Sequence, residues 1–166
     1  SFVASSNAIL YTGGRPVFSD IANDTFNLDP VLVEKKLQED PSINKILLVH
    51  IFGGTCDMAA FDRLSREYDV TIIEDASQAN GASFKNRKVG SFGKVGTFSF
   101  YPTKNMTTCE GGMVVTDDRD VASTLRKLVN HGRSDDGSTY ELLGYNFRMT
   151  NVQAAIGLIQ LERLQK

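Results

Sequence analysis

The chain reads as an α/β fold, a mostly parallel, mixed sheet flanked by helices. Three observations predict it. Short runs rich in Val, Ile, Leu and Phe alternate with helical segments, the order that winds a sheet with covered faces. Two runs, 45–52 (Lys-Ile-Leu-Leu-Val-His-Ile-Phe) and 70–75 (Val-Thr-Ile-Ile-Glu-Asp), are apolar at successive positions, as strands buried on both faces are. Polar, chemically capable residues close two of the runs: Glu74-Asp75 ends one, and the other leads into a loop carrying Lys104. That is where a site lies in an open α/β sheet, at the carboxyl ends of neighbouring strands.

The elements follow in order. Residues 5–11 form a short helix that stops at Gly13-Gly14, and 16–20 reads as a strand. Residues 30–38 have helical spacing through Val31, Val33 and Leu37. The strand 45–52 follows, and Asp57 then caps a helix through Tyr68 with Met58, Phe61, Leu64 and Ser65 on one face. After the strand 70–75, Gly90, Gly93 and Gly96 fit neither GxGxxG nor the P-loop spacing and are assigned to turns. Strands 95–100 and 112–116 are separated by the Lys104 loop. Asp117 and Asp118 precede a helix to about Asn130 that stops at Gly132. Thr150-Asn-Val-Gln153 is a capping box that opens a final helix. No internal repeat or low-complexity linker interrupts this order.

Composition bounds the function. The 166 residues suit one domain, and 41% hydrophobic content suits a globular core. A net charge of −2 without a long basic run argues against nucleic-acid binding. Cys56 and Cys109 stand alone, which favours reduced thiols in a cytoplasmic protein over zinc or a disulfide scaffold. No apolar run reaches membrane-spanning length, so no membrane partner is expected. The first residue is Ser rather than Met, and a piece of a longer chain is the expectation.

Glu74-Asp75 alone would read as a strand end or cap, and Lys104 alone as a surface lysine. Their settings change that reading. Lys104 follows an aromatic strand and Pro102, and precedes Asn105 and Glu110-Gly-Gly112. A lysine amine is a potential Schiff-base nucleophile, and an aspartate is the usual partner of the ring nitrogen of pyridoxal 5'-phosphate (PLP). Ser99 and Tyr101 offer hydroxyls to a phosphate or a ring. His50, inside an apolar strand, reads as a core histidine. His131 ends a helix, where a cation suits the dipole, and a substrate role stands level with that reading.

Several stretches are long and specific. They are 70–84 (Val-Thr-Ile-Ile-Glu-Asp-Ala-Ser-Gln-Ala-Asn-Gly-Ala-Ser-Phe), 89–105, Glu110-Gly-Gly-Met-Val-Val-Thr-Asp-Asp, Asn130-His-Gly132 and 144–155. Together with the opening 1–20, they resemble the DegT/DnrJ/EryC1/StrS family of PLP-dependent sugar aminotransferases over nearly the whole chain. The resemblance implies a PLP-dependent transferase of fold type I. Lys104 matches the lysine that carries PLP and moves the proton, and Asp75 matches the carboxylate facing the pyridine nitrogen. Gln78 matches the side chain near the ring face, and Ser99 a hydroxyl on the phosphate. Asn146 matches a residue that a neighbouring subunit gives to the same phosphate, which implies a homodimer. The implied reaction transfers an amino group, from glutamate, to a keto group of a nucleotide-linked deoxysugar.

The same resemblance implies that residues 1–166 are the central part of the PLP-binding large domain, truncated at both ends. An upstream turn for the phosphate, a stacking aromatic residue, one sheet strand and a small C-terminal domain fall outside it. On this ground the chain alone is expected to be inactive. Sugar dehydratases of similar pattern carry His where Lys104 stands, so Lys104 favours transfer. A folded, oligomeric remnant without PLP is the alternative. Cys109 replaces a common Gly, and Phe52-Gly-Gly-Thr-Cys-Asp replaces a common Phe-Gly-Gln-Pro-Ala-Asp. Glu141-Leu-Leu143 shortens a link before Gly144. These departures bear on the sugar pocket more than on the cofactor.

Overall fold

The computed structural model describes residues 2–164. In chain order it has α1 (Val3–Tyr11), α2 (Pro30–Glu39), β1 (Lys45–Val49), a single 3-10 turn (Ile51–Gly53) and α3 (Met58–Glu67). Then come β2 (Thr71–Asp75), β3 (Ser83–Phe84), β4 (Arg87–Lys88), β5 (Val95–Ser99), β6 (Gly112–Val115), α4 (Arg119–Val129) and α5 (Asn151–Arg163). The main sheet has the order β1-β2-β5-β6. β1, β2 and β5 run parallel and β6 returns antiparallel to β5, so the mostly parallel, mixed sheet is the observed one. β3 and β4 form a separate antiparallel hairpin. No described helix is long and apolar enough to cross a membrane.

Helices start where their caps dictate. Asp57 Oδ1 accepts the N–H groups of Ala59 and Ala60, each at 3.1 Å, and α3 begins at the next residue, Met58. Asp118 does the same for Asp120 and Val121, and Thr150 with Gln153 forms the reciprocal box at the start of α5. Asp29 caps α2 through the Val31 N–H, with Pro30 at the first helical position. Helices α2 and α3 then bury Val33, Leu37, Met58, Phe61 and Leu64 against Ile46, Leu48 and Ile72 of the sheet. Each such side chain contributes about 1.5–3 kcal/mol on full burial.

Five expectations differ from the structure. Residues 16–20 form no strand, and only an isolated bridge between Ile21 and Leu28 follows them. An extended segment becomes a strand only by pairing, and none of the described strands lies against this one. The strand expected over 45–52 ends at Val49. Beyond it, side chains take the place of the ladder: Asn27 Oδ1 accepts the Ile51 N–H and Gln78 Oε1 accepts the Phe52 N–H, both at 2.9 Å. Phe52 consequently turns out, 80% exposed at φ 53°. One face of β1 and β2 is fully buried and the other only half-buried, rather than both being sealed. Val31 lies off the buried face of α2, at 69% exposed. Gly96 sits inside β5 rather than in a turn, because a Cβ there would collide with the backbone of Gly90.

Candidate active site

The parallel strands β2 and β5 are direct neighbours, with Asp75 opposite Thr97. Their carboxyl ends therefore open on one edge of the sheet, and four of the five predicted residues, Asp75, Gln78, Ser99 and Lys104, lie on the segments that leave it. Asp75 is the last residue of β2 and half-buried. Its Oδ2 accepts the Ser5 hydroxyl of α1 at 2.6 Å, and its Oδ1 accepts the Ser77 N–H at 3.1 Å. Each oxygen has a lone pair left for another donor. Gln78 follows in the next turn, anchored on the Phe52 N–H in the 3-10 turn after the neighbouring β1. Ser99 ends β5, and its hydroxyl accepts the Tyr101 N–H at 3.3 Å.

Lys104 lies in the loop from β5 to β6, half-buried, with its N–H on the Tyr101 carbonyl at 3.0 Å. The loop is pinned from several sides. Thr108 N–H returns to the Phe100 carbonyl at 2.9 Å, and the Gln153 side chain of α5 donates to the Glu110 carbonyl at 2.8 Å. α5 approaches closely at Gly157, where a Cβ would stand 3.0 Å from Thr108 Cγ2. A Cys109 φ of 67° and the glycines 111 and 112 then turn the chain into β6.

Asn146 is not brought to this cluster. Residues 145–147 dock on the end of α4, with Tyr145 N–H on Leu128 O at 2.7 Å and Phe147 N–H on Val129 O at 3.0 Å. Asn146 is exposed there, its Oδ1 accepting from Arg148 at 2.9 Å. Tyr145 and Phe147 stack on each other beside it, ring centroids 4.9 Å apart. His131 takes the left-handed position after α4, φ 61°, and Gly132 N–H closes the helix on Lys127 O. That is a backbone role at a helix end.

Behind the edge, on the sealed face, Glu74 is wholly buried. Its carboxylate accepts the N–H groups of Gly90 (2.7 Å), Phe92 (2.6 Å) and Gly93 (2.6 Å), and it meets His50 Nε2 at 3.1 Å. The Cys56 N–H donates to His50 Nδ1, so the ring proton sits on Nε2 and points at Glu74. Burial pushes the Glu74 carboxyl up, but these donors outweigh it and hold it below the usual carboxylate range. Burial and the charge of Glu74 push the Cys56 thiol up to about 12. His50 is the core histidine its strand setting implies. The sequence reading missed the partnership of Glu74 with the 90–93 turn, and the parts played by Ser5, Asn27 and Asn80. A buried charge inside an apolar strand is a signal for the first. The others are polar residues whose partners lie far along the chain, which leaves no local pattern to read.

Comparison with known proteins places this arrangement. The DegT/DnrJ/EryC1/StrS aminotransferase family matches residues 1–166. A GDP-perosamine synthase of Caulobacter vibrioides is 41% identical over 167 residues, covering 100% of this chain and 44% of the relative. The X-ray structure of an aminotransferase from Psychrobacter cryohalolentis superposes with a TM-score of 0.93 at 36% identity, over 98% of this chain and 44% of that one. Helicobacter pylori PseC, an aminotransferase involved in the biosynthesis of pseudoaminic acid, gives 0.93 at 33% identity, over 99% and 44%. The chain thus spans less than half the length of these relatives. Matched from end to end, and on the same backbone, it belongs to the DegT/DnrJ/EryC1/StrS aminotransferase family.

Proposed function

We propose that this chain forms the central cofactor-binding part of a PLP-dependent aminotransferase. The whole enzyme moves an amino group from glutamate to a keto group of a nucleotide-linked deoxysugar. The observation that carries this reading is the meeting of Asp75, Gln78, Ser99 and the Lys104 loop at the carboxyl edge of two adjacent parallel strands. The substrate class rests on relatives named for GDP- and UDP-linked amino sugars.

The residues fit PLP chemically. Asp75 has oxygen lone pairs free beyond Ser5 and Ser77, enough to receive a ring N–H. Ser99 retains its hydroxyl hydrogen for a phosphate oxygen, because it only accepts from Tyr101. When bound, PLP supplies an electron sink for the carbon that loses its proton. The protein supplies the rest. Asp75 would hold a proton on the ring nitrogen by its charge and a hydrogen bond. Gln78, anchored on the Phe52 N–H, limits where the ring can lie. Lys104 would give the amine that holds the cofactor and that takes up and returns a proton. Asn146, exposed and away from this edge, serves the phosphate of a second copy in a homodimer.

Incubation with PLP followed by borohydride reduction tests the reading. The expected product is a pyridoxyl group on the peptide that contains Lys104. A label reproducibly on other lysines and absent from Lys104 overturns it.

A further inference from the structure

We propose that Asn80 and Asn105 form a lock that positions Lys104, an inference that rests on the reading of Lys104 as the amine that takes the cofactor. Asn80 lies in the turn after β2 and is 6% exposed. Its Nδ2 donates to the Ser99 carbonyl at 3.0 Å, so this turn holds the last residue of β5. Its own carbonyl accepts Asn105 Nδ2 at 2.8 Å. The residue directly after Lys104 is thereby tied to the same turn. On the other side, the Lys104 N–H closes on Tyr101 O at 3.0 Å. Lys104 thus stands between a local turn closed on Tyr101, two residues after the Ser99 that Asn80 holds, and Asn105, which is tied to Asn80 itself.

The chemistry explains why a lysine needs this. Its four-carbon stem is flexible, so the reach of the amine is set by where the backbone is held. Small misplacements of a reacting group cost rate steeply. The Asn105 side chain is exposed, but its acceptor is the carbonyl of Asn80, a residue 6% exposed, so loss of this donor costs about 1 kcal/mol. That cost shifts the thermal midpoint by only a few degrees, and the larger effect lies in the geometry of the lysine. Asn80 and Asn105 are positioning residues: they act on Lys104 and Ser99 through the backbone.

The test compares the 166-residue chain with Asn105→Ala and with Asn105→Asp, which keeps the shape but loses the donor. Two quantities are read. One is pyridoxylation of Lys104, after PLP and borohydride, relative to Lys85 at an exposed hairpin tip in the same sample. The other is hydrogen exchange of the Lys104 amide. The lock predicts that both variants lower the Lys104-to-Lys85 ratio by about fivefold or more and raise the exchange rate by about tenfold, with thermal midpoints within a few degrees of the native chain. A merely structural residue moves the midpoint and leaves the ratio unchanged. An unchanged ratio and unchanged exchange in both variants overturn the proposal. If the native chain shows no preference for Lys104, the segment alone does not direct PLP to this lysine, and exchange alone decides the lock: faster exchange in both variants upholds it and unchanged exchange removes it.

Discussion

Glu74 is a buried carboxylate whose donors include three backbone N–H groups from one turn, which makes it a structural anchor one residue away from Asp75 of the candidate site. Glu74→Gln turns an amide NH2 toward some of those donors, so urea unfolding should show a loss of about 2–3 kcal/mol. The pH dependence follows from the direction of its shift. The carboxyl is lowered in the folded protein from the ordinary 4.5. Its contribution is therefore complete above about pH 4.5 and is lost as pH falls toward the folded value. Midpoints measured from pH 7 down to 3 should fall below 4.5, and Glu74→Gln should flatten that fall. Cys56, buried and pushed up to about 12, should be inert to a thiol reagent at pH 8, whereas exposed Cys109 is modified. Peptide mapping checks this, with both thiols reacting after unfolding. The placing of Asp75 and Lys104 after neighbouring strands was legible because a carboxylate and an amine stood at the ends of apolar runs. The anchoring role of Glu74 was hidden, because its partners converge only when the 90–93 turn folds back.

At the scale of elements, local chemistry was readable and pairing was not. The caps at Asp57, Asp118 and Thr150 mark their helices because each bond closes within three residues. The 16–20 segment has strand composition, but its state depends on a neighbour distant in sequence. The end of β1 was misread for a related reason: Asn27 and Gln78, each far from it along the chain, supply the acceptors that end the ladder. Gly96 is the clearest case of an interior glycine with a packing cause. A Cβ there meets the Gly90 backbone, which cannot rotate away as a side chain could. Gly96→Ala should therefore cost about 3 kcal/mol or more, with β5 displaced from β2. Chemical denaturation measures the loss. A change below about 1 kcal/mol would mean that the 90–93 turn yields freely, against its anchorage on Glu74.

For the whole molecule, the order of strands in space repeats their order along the chain, β1-β2-β5-β6. Time enters here. β5 with β6 and the β3-β4 hairpin pair over shorter stretches of chain, but β1 with β2 is the partnership sealed by the main core, through Phe61 and Leu64 of the intervening α3, and it involves none of the candidate residues beyond Asp75. α5 can dock only after β5 and β6 have fixed the loop that its Gln153 and Gln160 hold. The expected nucleus is therefore β1-α3-β2, and α5 closes late. Leu48→Ala, in the nucleus, should slow refolding. Thr150→Ala removes a cap worth about 1 kcal/mol and should leave refolding unchanged while speeding unfolding about fivefold. Stopped-flow chevrons distinguish the two, and slower refolding of Thr150→Ala would place α5 in the nucleus instead. The Lys104 loop is then the part of the sheet edge that loses its outer support first, when α5 opens. A chain caught in that brief opening has its core intact and its candidate site loosened.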